Sequence, residues 1–359
     1  MTSLAEVSRV AGVSITTASR VLTSSSHPVA ESTRERVLRA AETVGYSPSA
    51  LARGLVSRRS KLIGIIVSDI ANPYFSVIAR GVNDVTLKAG YVTMLSSGDR
   101  RAATEISQLQ AMLEYRATGI IVAGSGYVDD KHQEQFAQVF RAAKKQGARI
   151  ITLAPRALDC RVVATDVRQA AYDVTDYVIS LGHRDIGYIE GPEALTTSQE
   201  RRTGFLECMA EHGLAKRARV VPGGFDFEAG FRATVGLLLE KPLVEAIVAS
   251  NDEAAVGTLS ALSQAGIEVP GEISVAGMDD LPVAHFVGLT TVSMPLYEMG
   301  AMAAREIIDG AGVELDVDVP PPVLLAHRLV PRQTTARAKL ARTANDRHAG
   351  LTTRNRPPA

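Results

Sequence analysis
The chain has 359 residues, 46% of them apolar, with 39 basic and 39 acidic side chains and a formal net charge of zero. That length can bury more than one core, but no run of 18 apolar residues is present to span a bilayer. The amino terminus also lacks the charged and apolar blocks of an export signal, so a cytoplasmic protein without a membrane partner is expected. Cys160 and Cys208 stand in no metal-ligand spacing, so both are expected to be reduced, small apolar residues, with no metal site and no cofactor.

The zero net charge hides an asymmetry. Residues 1–60 carry eight basic and four acidic side chains, whereas residues 61–335 carry 25 against 34. Arg34, Arg36, Arg53, Arg58 and Arg59 are candidates for sequence-independent attraction to phosphates, the alternative being a solvated basic face.

In chain order, the segment Leu4 to Leu22 predicts two helices meeting at Gly12, where glycine alone tolerates a positive φ without steric cost. Ser3 with Glu6 forms a capping box for the first helix and Ser14 caps the second. Ser32 with Glu35 repeats the box for a third helix over Thr33 to Thr43. Steps of about 100° per residue put Ala18, Val21 and Leu22 on one side of the second helix and Thr16 and Arg20 on the other, with Ile15 and Ser19 between. Arg20 can bond guanine O6 and N7 bidentately, and Ile15 or the Thr16 methyl can meet a thymine methyl in a major groove. The alternative is a small helical bundle with a solvated face.

Ser47 to Leu55 reads as a short helix with a serine cap and Pro48 at its first position, far below the ~12–15 residues an isolated helix needs. Two copies meeting over DNA could enter the minor groove with Leu55 as an apolar wedge. The duller reading packs Leu55 on its own domain.

From Lys61 onward, short apolar runs alternate with amphipathic helical segments such as Phe75 to Ala89 and Thr104 to Tyr115. The runs are Leu62–Val67, Tyr91–Leu95, Ile120–Ala123, Arg149–Leu153, Val162–Ala164, Ile186–Ile189, Ala246–Ala249 and Ile273–Ala276. Such alternation predicts parallel sheets covered by helices on both faces, and about 275 residues suit two subdomains better than one. Ligands of open parallel sheets bind beyond the carboxyl ends of the strands. Those ends carry Asp69, Ser125, Arg156, Asp166, Asn251 with Asp252, and Asp279, a set suited to a sugar-like polyol.

Each of these residues also has a structural alternative. Asp252 and Asp279 can cap helices, Asn72-Pro73 is a common turn, and Arg201 can pair with Glu200 or Glu207. Phe75 and Phe225 can be a ring platform or core residues. His183 and Asp185, in Gly-His-Arg-Asp, are read as structural. The tail Ala336 to Ala359, with six basic residues and one acid, is expected to be disordered.

The stretches AGVSITTASRVL, PVAESTRERVLRAAETVGYSPSALARGL and IGIIVSDIANPYFSVIARGV resemble the LacI/GalR family of bacterial transcriptional regulators, and the likeness runs to about residue 335. It implies a helix-turn-helix domain at 1–46, a hinge helix and linker at 47–60, and an α/β periplasmic-binding-protein-like effector and dimerisation domain at 61–335. The tail follows at 336–359. It further implies three chain crossings between the subdomains, near Arg161, Val292 and Pro320, giving about 61–161 with 292–320 and 162–291 with 321–335.

A homodimer or dimer of dimers on a palindromic double-stranded operator is implied, with Ser14, Ile15, Thr16, Thr17, Ser19, Arg20, Arg53 and Leu55 at the DNA. A small effector, a sugar or related polyol, would meet Asp69, Asn72, Phe75, Ser125, Arg156, Asp166, Arg201, Phe225, Asn251, Asp252 and Asp279. Departures from the family pattern include Pro155 before Arg156, Val167 after Asp166 and Met278 before Asp279, and these leave the effector open. The expected function is a repressor without enzyme activity. The rivals are a sugar-binding protein or a sugar- or nucleoside-processing enzyme with an incidental helical module.

Overall fold
The computed structural model describes residues 3–22, 27–46, 60–312 and 320–338. The expected hinge helix, with Arg53 and Leu55, lies outside the described residues, as do Arg58 and Arg59.

Three helices form the amino-terminal module: α1 (Leu4–Ala11), α2 (Ile15–Leu22) and α3 (Glu31–Thr43). Their small shared core is Val7, Ala11, Ala18, Val21, Val37, Ala40 and Ala41, so alanines at the crossings let the axes approach. Gly12 takes φ 64° and ψ 40°, the left-handed conformation that closes α1. Ser3 Oγ accepts from Glu6 N, and Ser14 Oγ accepts from Thr17 N at 3.1 Å. The predicted third start is corrected. α3 begins at Glu31, after Ala30, which makes no side-chain cap bond. The Ala30 carbonyl already accepts from Thr33 N and Arg34 N, so Ser32 lies inside the first turn.

The first sheet has six strands in the order β11-β5-β4-β3-β1-β2. They are β1 (Leu62–Val67), β2 (Val92–Ser97), β3 (Gly119–Val122), β4 (Arg149–Thr152), β5 (Arg161–Ala164) and β11 (Val323–Leu324). All pairings within it are parallel. Alternation along a strand sends successive side chains to opposite faces. Ile63, Ile65, Val67 and Ile121 therefore pack with α4 (Pro73–Lys88) and α12 (Leu296–Asp309), through Ile78, Val82, Ala303 and Ile307. Ile66, Ile120 and Val122 meet α5 (Ala102–Glu114) and α6 (Gln133–Gln146) on the other face. The α4 and α12 backbones touch: a Cβ on Gly81 would stand 2.1 Å from Tyr297 O, and one on Gly300 2.2 Å from Ile78 O.

The second sheet repeats the plan with four parallel strands in the order β7-β6-β8-β9. These are β6 (Ile186–Ile189), β7 (Ala218–Val221), β8 (Ala246–Ala249) and β9 (Ser274–Ala276). Ile186, Tyr188, Ala246 and Val248 face α7 (Val167–Ser180) and α8 (Thr196–Glu211). Ile247 and Ala249 face α9 (Phe227–Leu239) and α10 (Asp252–Gln264). A short helix α11 (Pro282–Phe286) precedes an antiparallel ribbon of β10 (Thr291–Ser293) and β12 (Arg328–Val330).

Two boundaries move from the expected positions. Val162 to Ala164 and Val323 to Leu324 hydrogen-bond into the first sheet, so the chain crosses a few residues later than Arg161 and Pro320. The tail also begins later than Ala336: the Ala336 carbonyl lies 2.9 Å from His183 Nε2, and Ala338 N donates to Leu181 O.

Candidate functional site
On α2, Ala18 and Val21 are buried and Ile15 is 53% exposed, which turns Ile15, Thr16 and Arg20 outward together. Ser14 and Thr17 are joined, their hydroxyls 2.8 Å apart, so both contribute to the helix cap. Ser19 is half-buried. The outward surface therefore offers the Ile15 side chain and the Thr16 hydroxyl and methyl in the first turn of α2 and the Arg20 guanidinium in its last.

The carboxyl ends of both sheets close on one cavity of about 80 Å³. From the first subdomain it is lined by Ser68 after β1, Gly124 and Ser125 after β3, Thr165 after β5, and Asn72, Tyr74 and Phe75 at the start of α4. The second subdomain contributes Phe225 after β7, Asn251 after β8, and Asp279 beyond β9, with Arg201 from α8. Asn72 Nδ2 donates across the cleft to Phe225 O at 3.4 Å, and Asn251 Nδ2 donates to the same carbonyl at 3.1 Å. Both asparagines also cap helices, accepting from Tyr74 N and Ala254 N. Ser125 Oγ accepts from Thr197 N at 2.9 Å, a second bond between the subdomains.

Arg201 and Asp279 form the charged centre. Arg201 Nη2 lies 2.8 Å from Asp279 Oδ1, with each side chain 3% exposed. Arg201 Nη1 donates to Ser250 O, its guanidinium carbon stands 5.7 Å from the Phe225 ring centre, and Nε is buried without a hydrogen-bond partner among the described residues. Burial raises the Asp279 carboxyl to about 6 although Arg201 opposes the shift. Here the removal of water outweighs the ion pair. Asp279 holds φ 120°, a strained backbone that aims the carboxylate at α8. Tyr74 stands close enough that burial, followed by the Asp279 charge, raises its hydroxyl above the usual range.

Four sequence-predicted residues do not line this cavity. Asp69 stands behind it, 3.2 Å from Arg100 Nη2, and it is Arg100 that reaches the lining. Arg156 is paired with Glu105 at 2.7 Å, their side chains 4% and 2% exposed. It also donates to Gly124 O and Ser125 O, so it holds the β3 loop. Asp166 caps α7 by accepting from Gln169 N. With Arg156 it lines an adjoining cavity of about 610 Å³, which shares Pro155, Thr165, Val167 and Thr197 with the first. Asp252 is fully buried, accepting from Leu281 N at 2.7 Å and from Thr291 Oγ1. It ties the β9–α11 loop to β10. Its carboxyl is raised by burial first and by Asp279 next.

Cleft residues overlooked in the sequence include Ser68, Tyr74, Arg100, Thr165 and Thr197. Tyr74 follows a capping Asn-Pro pair, which was the available signal; Arg100 carries none. Among the described residues lining the cavity there is neither histidine nor cysteine. The arrangement can bind hydroxyls through carboxylate, amide and guanidinium, and stack a ring on Phe225.

A family profile described as bacterial regulatory proteins, lacI family, matches residues 3–49, and one for the periplasmic binding protein-like domain matches residues 175–335. Catabolite control protein A of Priestia megaterium is 32% identical over 337 residues, 92% of this chain and 98% of that protein. The crystal structure of the lac repressor dimer bound to operator and the anti-inducer ONPF superposes with a TM-score of 0.79 at 23% identity, over 93% of this chain and 99% of that one. The transcriptional regulator CelR in complex with cellobiose superposes with a TM-score of 0.66 at 26% identity, over 93% and 100%.

Proposed function
The chain belongs to the lacI family of bacterial regulatory proteins, and from that membership we propose that it represses transcription as a homodimer on a palindromic operator, released or recruited by a sugar-like effector. One observation carries this reading: a single chain joins an outward Ile15–Thr16–Arg20 face to a cleft whose walls come from two subdomains and converge on Arg201 and Asp279. The bases would be read by Ile15, Thr16 and Arg20, with Ser14, Thr17 and Ser19 beside them. Arg53 and Leu55 are assigned to the minor groove on family likeness alone, since they lie outside the described residues.

The effector set we propose is Asn72, Phe75, Ser125, Arg201, Phe225, Asn251 and Asp279, with Asp69, Arg156 and Asp252 supporting it from behind and Asp166 at its mouth. A cavity of about 80 Å³ is below the ~300 Å³ at which ligand pockets begin. A sugar ring would occupy it together with the adjoining cavity of about 610 Å³ or on a wider opening of the subdomains, and an effector that binds one opening angle better than another shifts the equilibrium between them. The cellobiose-bound state of CelR supports the sugar class. The relatives are transcriptional regulators, which supports a sensor that does not turn its ligand over. No helix among the described residues is long and apolar enough to cross a membrane.

The test is selection of bound sites from random duplex DNA, followed by a screen of mono- and disaccharides for altered retention of the selected site. An inverted repeat whose binding one sugar changes without hydrolysis of that sugar is the expected result. No preference over scrambled DNA in any condition would overturn the reading.

A further inference from the structure
Between α7 and α8, Asp176, Cys208 and His212 offer a carboxylate oxygen, a sulfur and an imidazole nitrogen that all lie within 4.8 Å of one another. We propose that these three side chains bind a divalent transition-metal ion of the zinc class. Cys208 lies seven residues beyond Arg201, about 10 Å along the helix at 1.5 Å per residue, so this site is separate from the effector cleft.

The sequence places Cys208 and His212 four apart on α8 and its end, and hence on one helix face. Their third partner comes from packing. A Cβ on Gly204 would stand 2.0 Å from Arg168 O, so the α7 and α8 backbones touch there and Asp176 is carried to the α8 face. His212 Nε2 is 2.7 Å from Asp176 Oδ1. Donor atoms on a tetrahedral zinc, with bonds of about 2.0–2.3 Å, stand roughly 3.3–3.8 Å apart. The imidazole and carboxylate, 2.7 Å apart, must open by roughly 0.6–1.1 Å, and the sulfur, within 4.8 Å of both, must close by no more than about 1.5 Å. His212 and Asp176 are 38% and 50% exposed and have room to do so, while the fully buried Cys208 sulfur forms the floor.

Neighbouring carboxylates favour a cation there, and they are already engaged. Glu207 pairs with Arg168, Glu211 accepts from the Tyr172 hydroxyl at 2.6 Å, and Asp173 faces His327 Nε2 at 2.7 Å. The fourth position is left to water. One sulfur and one imidazole select a borderline-soft ion over magnesium or calcium, which take oxygen ligands. On binding, the S–H bond breaks, the sulfur–metal bond forms and the proton passes to solvent; no electron is transferred. The ion would clamp α7 to α8, whose opposite ends carry Val167 and Thr197 in the cleft wall.

The experiment is a cobalt(II) titration of the full chain, freed of metal by a chelator and kept reduced. It is read by the thiolate-to-cobalt charge-transfer band in the near ultraviolet, with zinc then added in competition. One equivalent per chain with that band, displaced by zinc, is expected. Cys208→Ser should abolish the band. His212→Gln and Asp176→Asn, at exposed positions with folding checked by circular dichroism, should each weaken affinity at least about tenfold, the lower end of what loss of even an outer-shell partner costs a metal site. Absence of the band, its persistence in Cys208→Ser, or unaltered affinity in both exposed variants would overturn the proposal.

Discussion

At the scale of single residues, burial decides which charges are available. Asp279 has an unfolded carboxyl near the usual ~3.9 and a folded one at about 6, so the folded chain binds the extra proton between those values. Its stabilising contribution is complete below pH ~4 and declines as pH rises through about 6. Thermal unfolding of Asp279→Asn is expected to lack this decline, and parallel pH profiles of wild type and variant would refute the assignment. Arg156 illustrates the opposite use of a buried charge, because its partner Glu105 is 2% exposed. Arg156→Ala should destabilise the fold by about 3–5 kcal/mol in urea, by stranding a buried carboxylate. Arg156→Met combined with Glu105→Leu should recover most of that loss. A residue that served only the effector would leave the urea midpoint unchanged. Arg20, exposed on α2, should lose about 1–3 kcal/mol of operator binding on change to alanine, with relaxed preference at one base pair. A loss uniform over all sequences in a competition assay would make it a phosphate contact instead.

Among the elements, α1 and α2 are positioned by two local devices legible in the sequence. Gly12 sits at φ 64° with nothing within 4 Å of an added Cβ. Gly12→Ala therefore meets backbone strain of roughly 1–2 kcal/mol and no clash. Ser14→Ala removes the bond to Thr17 N and should cost about 1 kcal/mol. Denaturant unfolding of the amino-terminal module reads both, and a neutral Gly12→Ala would contradict the turn geometry. Strands β1, β6 and β8 coincide with apolar runs recognised from the sequence, because a strand buried on both faces needs continuous apolar character. β7 and β10 to β12 gave no such signal. Their residues are less apolar or the strands only two or three long, and pairing partners distant in the chain define them. The start of α3 differs from the capping-box expectation because the helix already begins at Glu31, with the Ala30 carbonyl accepting from Thr33 N and Arg34 N, so Ser32 lies inside its first turn.

For the whole molecule, residues 1–60 carry an excess of basic groups and residues 61–335 an excess of acidic ones, so binding to DNA should be confined to one end and depend strongly on salt. If a dimer meets about six phosphates, affinity should fall on the order of a thousandfold between 50 and 200 mM salt. A slope near zero in filter binding would exclude phosphate contact as a main source of affinity. Periodicity, caps and charge distribution determined the class of fold and the outward face of α2, because each is set by neighbours a few residues away. The effector cleft was only half legible: residue type at a strand end says that a polar group is near, not whether it faces the ligand or a buried partner. Only the tertiary structure separated Asn72, Arg201 and Asp279, which line the cavity, from Arg156 and Asp252, which hold loops in place. It alone brought Asp176 to Cys208 and His212, since that meeting depends on how closely two helix backbones approach at Gly204.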